Sequence, residues 1–182
     1  MLQSPWLTDA EVADATRRRQ PRAQARVLES MGVPFRRRPD GTLLVAPGPG
    51  FALDLWDVRK RSKVRSFPNT NLLVSIAFHP SGTLFATASR PENFVRLWDV
   101  ATGRLLRTIA VKSTGTSAHA VAFSPDGRWL AAGTWSASPD VIAVYDVQTG
   151  ERRFDVADMD SPVVDLAYSS DGRLLVAGTV SQ

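Results

Sequence analysis

The stretch LWDVATGRLLRTI, from Leu97 to Ile109, decides the fold because the chain contains three related copies of it. LWDVRKRSKVRSF begins 42 residues earlier, at Leu55, and VYDVQTGERRFDV begins 47 residues later, at Val144. In each copy an aromatic residue is followed by Asp and Val. A repeat at a fixed period of about 40 to 45 residues is typical of proteins that stack one supersecondary unit several times.

A glycine turn marks each unit at the same place. PSG at Pro80–Gly82, PDG at Pro125–Gly127 and SDG at Ser170–Gly172 are spaced by 45 residues, and another PDG occupies Pro39–Gly41. Alternating apolar runs flank each turn, which predicts antiparallel hairpins, since Gly supplies the positive φ of tight turns. The LWDV-like strand and a fourth strand follow, so each complete unit is predicted to be a four-stranded antiparallel sheet.

Two of the units resemble a known family. FHPSGTLFATAS…VRLWDVATGRLLRTI and VAFSPDGRWLAAGT…IAVYDVQTGERRF resemble the WD repeats of β-propellers, over about residues 51–179. The resemblance implies a mainly β fold, a partial propeller of about three to three and a half blades. Complete blades are expected at 74–111 and 119–157, with partial blades at 51–67 and 162–179.

The signature residues of these repeats are expected to be structural. The third-strand aromatic would be buried between neighbouring blades, and the Asp that follows it would bond backbone amides of the next turn. The turn glycines complete this set, which consists of Trp56, Asp57, Trp98, Asp99, Tyr145, Asp146, Gly82, Gly127 and Gly172.

The repeats also depart from the family, in which a Gly-His pair often precedes the first strand. No such pair stands at 69–71 or 113–115. An Asp usually lies between the second and third strands; Asp140 fits in one repeat, whereas the other offers Glu92 and Asn93. We therefore do not expect the full buried polar network of regular WD repeats. His79 and His119, within or beside first strands, are expected to be satisfied structural histidines.

The number of strands predicts open sheet edges. Three blades are too few to close a ring, and an unclosed stack leaves unpaired backbone groups at its ends. Three outcomes stay open: a fragment of a longer protein, a homodimer that closes the propeller, or an open stack. Residues 33–47 belong either to the N-terminal part or to the first blade, and the second alternative raises the strand count from twelve to fourteen.

Residues 1–48 do not follow the repeat that fills 49–182. A capping box at Thr8–Glu11, a helix-starting Pro21 and a helix-stopping Gly32 predict two short helices, followed by a hairpin. This small domain would be helix-turn-helix-like. The stretch 5–46 resembles a family of small phage-associated proteins of unassigned function.

Arginine is concentrated in the N-terminal part, where residues 1–50 hold eight of the 22 Lys and Arg but five of the 18 Asp and Glu. Arg forks suit phosphate geometry, so this cluster predicts DNA contact; a solvated face is the alternative. The candidate contact residues are Arg17, Arg18, Arg19, Arg22, Arg26, Arg36, Arg37 and Arg38.

Composition and motifs argue against an enzyme. The chain has no Cys and two His, and PGPG at 47–50 lacks the Lys-Ser/Thr of a phosphate-binding loop. We therefore expect no catalytic residue, no metal and no cofactor. No apolar run reaches the roughly 20 residues that span a bilayer, so no membrane partner is expected, and the absence of Cys favours the cytoplasm. The leading hypothesis is a scaffold or binding module for proteins or peptides. The alternative is a DNA-binding regulator whose repeats recruit or dimerise.

Overall fold

The computed structural model describes residues 36–37, 43–47, 52–57, 60, 62–68, 72–111, 117–135, 140–159 and 161–180. All regular structure in these ranges is β-strand, and no helix in them is long and apolar enough to span a membrane. The two helices predicted before residue 33 lie outside the described residues. The chain divides into two compact units, 1–70 and 71–182, which are described separately.

The first unit contains one antiparallel sheet whose strands follow chain order. Leu53, Leu55 and Phe67 are buried in it. The first two strands, from residues 36–37 and 43–47, belong to the same sheet as the two strands that follow. The strands are β1 (Arg36–Arg37), β2 (Leu43–Pro47), β3 (Leu53–Asp57) and β4 (Ser62–Phe67).

The second unit contains three sheets, of which two have four strands and the last has two. Each follows chain order, and every pairing is antiparallel. The first is β5 (Leu72–Phe78), β6 (Leu84–Arg90), β7 (Phe94–Asp99) and β8 (Leu105–Ala110). The second is β9 (Ser117–Phe123), β10 (Trp129–Trp135), β11 (Asp140–Asp146) and β12 (Arg152–Met159). The third is β13 (Val163–Tyr168) and β14 (Leu175–Thr179).

These three sheets are called sheet B (β5–β8), sheet C (β9–β12) and sheet D (β13–β14). Both faces of the middle sheet are covered by its neighbours. One face of sheet C, with Val121 and Leu130, packs on sheet B, and the other, with Ile142 and Val144, packs on sheet D. The first strands lie together, since β9 contacts β5 and β13 contacts β9.

This arrangement explains the strand pattern. Strands whose two faces are both covered need apolar residues at consecutive positions rather than in strict alternation, as in Leu130 to Ala132 of β10. The fold is mainly β, with antiparallel sheets that correspond to the predicted repeats.

Candidate interaction surfaces

The signature glycines and aspartates shape the turns. Gly82, Gly127 and Gly172 have φ values of 68°, 75° and 72°, which L side chains rarely adopt. Asp99 accepts hydrogen bonds from the backbone N–H and the hydroxyl of Thr102, both at 2.6 Å. Asp146 accepts from two backbone N–H groups, and Asp57 accepts from that of Lys60 at 2.9 Å.

Backbone donors also lower the pKa of the Asp146 carboxyl, the bond from Thr149 first among them. Both amides bond Oδ1 of Asp146, and hydrogen bonds to the charged form of a carboxyl favour that form. These aspartates therefore hold the backbone of their turns in place.

The third-strand aromatics differ from sheet to sheet. Trp98 is buried and donates from Nε1 to the Thr87 hydroxyl at 3.0 Å. Ala132 occupies the place of Thr87 in the next repeat, and Tyr145 there reaches the carbonyl oxygen of Ala110 in sheet B at 3.4 Å. Part of the polar network that the sequence led us not to expect is thus present around Trp98. Trp56 of the first unit is partly buried.

Two side chains tie sheet B to turns of sheet C. His79 Nε2 lies 2.9 Å from the carbonyl oxygen of Gly127. Arg107 donates to the carbonyl oxygens of Thr149 and Gln148 at 2.8 and 2.9 Å. Both side chains form hydrogen bonds to backbone atoms of the neighbouring repeat, so they fix the spacing of the sheets.

A cluster of three side chains lies at the other ends of the strands of sheets B and C, away from these turns. The rings of His119 and Trp135 lie 4.8 Å apart, and the Arg90 guanidinium lies 5.2 Å from the centre of the Trp135 ring. Burial and, after it, the positive charge of Arg90 lower the pKa of His119. Among the described residues His119 Nδ1 has no hydrogen-bond partner although it is buried. His79 thus has the hydrogen-bond partners expected of a structural histidine. His119 lies where β9 shifts register beside Gly133 and Thr134 of β10.

Sheet D leaves an apolar surface uncovered. Val176 in β14 is 63 % exposed, whereas Ala86 and Ala131, at the same position in sheets B and C, are fully buried. On sheet C, Val156 of β12 is 40 % exposed, whereas its counterpart Ile109 is buried. Phe154, two residues before Val156, is 55 % exposed. We call Phe154, Val156, Leu174, Val176 and the outer edge of β14 the open-end surface.

The described part of the chain gathers no set of three His, Asp or Glu side chains that could hold a metal ion. Of the eight candidate DNA-contacting arginines, the structure describes the backbone of Arg36 and Arg37, in β1. The other six lie outside the described residues. The candidate features formed by the described residues are therefore the inter-sheet hydrogen bonds of His79 and Arg107, the cluster around His119, and the open-end surface.

Stacked four-stranded antiparallel sheets, each with its strands in chain order, are typical of the blades of β-propellers. The comparisons with known proteins agree. Residues 61–99 and 103–138 match the family model described as WD domain, G-beta repeat. Residues 6–46 match a Domain of unknown function (DUF4224). The two matches thus lie in different parts of the chain, and the resemblance to WD repeats predicted from the sequence is confirmed.

Among curated proteins, the chain is 36% identical to the WD repeat-containing protein SL1-17 of Schistosoma mansoni over 109 residues, 60% of this chain and 34% of that protein. It is 31% identical over 118 residues to the small ribosomal subunit protein RACK1 of Candida albicans, covering 60% of this chain and 35% of that protein. The WD repeat-containing protein VIP3 of Arabidopsis thaliana is 33% identical over 113 residues, 56% of this chain and 34% of its own length. The chain thus spans about a third of these relatives.

Proposed function

We propose that this chain is a non-catalytic protein-interaction scaffold that binds other proteins through the surface of its stacked repeats. The observation that carries the proposal is the open-end surface. Its apolar side chains are exposed at positions that the neighbouring repeats bury. Phe154 and Val156 lie on the face of sheet C that packs on sheet D, and Val176 lies on the face of sheet D that points away from sheet C. Exposed apolar patches on a folded protein typically mark interaction sites.

Two further observations support a scaffold. The ties from His79 and Arg107 end on backbone oxygens of the next repeat, which makes the platform rigid and leaves its loops free to vary. The relatives are named for their WD repeats or, for RACK1, as a protein of the small ribosomal subunit, and a ribosomal subunit is an assembly of many proteins.

The proposal can be tested by affinity capture with the purified full chain, followed by cross-linking of retained proteins. Val176→Asp places a charge on the open-end surface, and Leu105→Asp places the same charge on an exposed site of β8. We expect at least one protein that is retained by the wild type and by Leu105→Asp and lost with Val176→Asp. Retention that does not distinguish the two variants would contradict the role of this surface.

The arginine cluster favours a second candidate, a regulator that binds DNA through residues 5–46. Guanidinium contacts to phosphate release counterions, so such binding should weaken steeply with salt. Fluorescence anisotropy with a labelled duplex should detect binding at 50 mM salt that is largely lost at 200 mM. The matched variant changes Arg17, Arg18 and Arg19 to Gln in the full chain, because a deletion to residue 48 would also remove β1 and β2.

The cytoplasmic location, the phage association of the N-terminal part and the closure of the propeller by a homodimer stay predictions.

A further inference from the structure

We propose that Arg90, His119 and Trp135 bind an acidic side chain of another protein, with its carboxylate against Arg90 and its apolar neighbour against Trp135. Arg90 ends β6 of sheet B, and the other two residues lie in β9 and β10 of sheet C. Both of these sheets have four strands, so the site does not depend on the open-end surface. The inference goes beyond the proposed scaffold function because it assigns a second surface and the chemistry of its partner.

The first strands of sheets B, C and D each carry a bulge at the same position. Strand pairing skips Val74 in β5, His119 in β9 and Val164 in β13. Valine at two of these positions shows that the bulge itself does not require a histidine. Bulges are common beside functional sites, where they change the direction of a side chain. The imidazole in β9 therefore points to a role other than forming the bulge.

The imidazole at this bulge is also unfavourable for stability. Nδ1 of His119 is buried and has no hydrogen-bond partner among the described residues, and such an atom costs free energy. Buried polar groups are normally paired, so an unpaired one is a sign of a functional position. Because an orphaned buried N–H is rarer than an under-satisfied acceptor, we assign the ring proton to Nε2. That nitrogen is then a hydrogen-bond donor.

Arg90 brings a positive charge to the same indole ring. Its guanidinium carbon lies 5.2 Å from the centre of the Trp135 ring, which the His119 ring approaches to 4.8 Å. A cation–π contact of this kind restricts the position of the charge. Arg90 is exposed, and in the described ranges of the chain no carboxylate pairs with it. The guanidinium is therefore held in place with its N–H groups available to a ligand.

A second arginine of sheet B shows what completes such a pair. Arg96 lies 4.6 Å from the centre of the Phe94 ring, and its two terminal nitrogens donate to the two carboxylate oxygens of Glu92. This forked geometry is the one in which arginine binds a carboxylate most strongly. Arg90 has the aromatic ring without the carboxylate, and an acidic side chain of a partner would supply it.

The donors and the ring together define the ligand. The side chains of Arg and Trp have N–H donors and no acceptor, and Nε2 of His119 adds another donor. A group that only accepts hydrogen bonds, such as a carboxylate, suits all of them. Trp135 is half-buried, so part of its ring is left as apolar surface for the residue next to the acid. The partner that fits is therefore an acidic peptide segment with apolar neighbours.

The two histidines of the chain allow this site to be located by NMR. His119 lies in the cluster, and His79, near the turns at the other ends of the strands, is an internal control. The probe is the peptide acetyl-Ala-Leu-Glu-Leu-Ala-amide, titrated into the full chain. We expect saturable shifts of the ring protons of His119 and none of those of His79. No shift, or equal shifts of both rings, would overturn the proposal.

Two further peptides test the charge of the ligand. Replacing the Glu of the peptide by Gln keeps its size and removes its charge, so binding should weaken about ten-fold. Replacing it by phosphoserine distinguishes a phosphoryl group from a carboxylate. Equal binding of the Glu and Gln peptides would overturn the proposal, as would binding of the phosphoserine peptide alone.

Substitutions in the chain separate a specific site from general charge attraction. Arg90→Gln should weaken binding of the Glu peptide about ten-fold in calorimetry. Arg104→Gln removes the same charge from an exposed residue just before β8 and should leave the affinity unchanged. His119→Phe keeps an aromatic ring and removes the donor, so it should weaken binding about five-fold. Equal effects of the two arginine variants, or unchanged affinity with His119→Phe, would overturn the proposal.

This site and the proposed scaffold function fail in different ways. Val176→Asp should not alter peptide binding, because Val176 belongs to the open-end surface. A captured protein that depends on Val176, together with no peptide binding, would overturn the site for acidic side chains and keep the scaffold function. Saturable peptide binding at His119 without any captured protein would support this site and contradict the role of the open-end surface.

Discussion

The imidazole of His79 bonds the carbonyl oxygen of Gly127 across the interface of sheets B and C, 48 residues away, with Nε2 2.9 Å from the oxygen. Its other nitrogen, Nδ1, accepts the backbone N–H of Ser81 at 3.1 Å, so Nε2 carries the proton and donates it. The ring also stands edge-on to Phe123, with centroids 5.2 Å apart. Ser124 and Ser169 take the place of His79 in the later repeats and bond within their own turns.

This contact predicts that Gly127→Ala costs more stability than Gly172→Ala. Both glycines have similar positive φ values, 75° and 72°, so both variants share the backbone strain of about 1–2 kcal/mol. A Cβ at Gly127 would run into the ring of His79, whereas at Gly172 it would meet Pro125 at an ordinary 3.4 Å. Urea unfolding should show an additional loss of about 1 kcal/mol or more for Gly127→Ala.

The His79→Ala background provides the control for this comparison. Removing the ring should bring the effect of Gly127→Ala down to that of Gly172→Ala. An unchanged difference between the two glycine variants would show that His79 is not its cause.

A second glycine is required by the close approach of sheets C and D. A Cβ at Gly133 of β10 would lie 2.5 Å from Cγ1 of Val163, which is fully buried. At Gly178, the same position in β14, it would meet Asp165 Cβ at 3.6 Å. We expect Gly133→Ala to lower the free energy of unfolding by about 1–3 kcal/mol, and Gly178→Ala to change it by less than about 0.5 kcal/mol.

Shortening the opposing side chain tests the steric cause. Val163→Ala alone opens a cavity, so it should destabilise the protein, but Gly133→Ala should cost less in that background than in the wild type. A double-mutant cycle with no coupling energy would be inconsistent with a steric contact between these positions.

The sequence predicts the sheets better than the contacts between them. Period-two runs around Pro80–Gly82 and Pro125–Gly127 determine hairpins, since turn chemistry and strand pattern are local properties. The pattern could not place residues 33–47, because PDG at 39–41 suits a separate hairpin as well as a blade. Nor could it find the His79–Gly127 bond or the room at Gly133, which depend on how residues far apart in the chain meet. The sequence could not predict the exposure of Phe154 and Val156 for the same reason, because their alternation with polar residues is the same as in strands whose faces are covered.

The bond between Trp98 and Thr87 predicts a measurable coupling. Thr87→Val keeps the shape of the buried side chain and removes the acceptor of the Trp98 Nε1–H. We expect a loss of about 1–3 kcal/mol, because a buried donor then loses this partner. Trp98→Phe should make the subsequent Thr87→Val change nearly neutral. Chemical denaturation of the wild type, the two single variants and the double variant gives the four free energies of unfolding from which the coupling is calculated. Additive effects would show that the bond contributes nothing to stability.

His119 predicts that stability falls as the pH decreases from neutral. Burial, with the Arg90 charge as the lesser cause, lowers the pKa of His119 from its ordinary value of 6.5. The unfolded chain therefore takes up this proton at a higher pH than the folded chain. The stabilising difference is fully present above pH 6.5 and is lost as the pH falls from there to the lower pKa of the folded state. Measured between pH 7.5 and 5.5, the decrease in melting temperature should be larger in the wild type than in His119→Phe, which keeps an aromatic ring beside Trp135.

Arg90→Gln separates the two causes of the lowered pKa. Without the guanidinium, the pKa of His119, followed by the NMR shifts of its ring protons, should rise toward the ordinary value but not reach it, because burial still disfavours the charged imidazolium. A wild-type pKa at or above 6.5 would contradict the lowered pKa of His119. Equal pH dependence of the wild type and His119→Phe would instead assign the loss of stability to other groups.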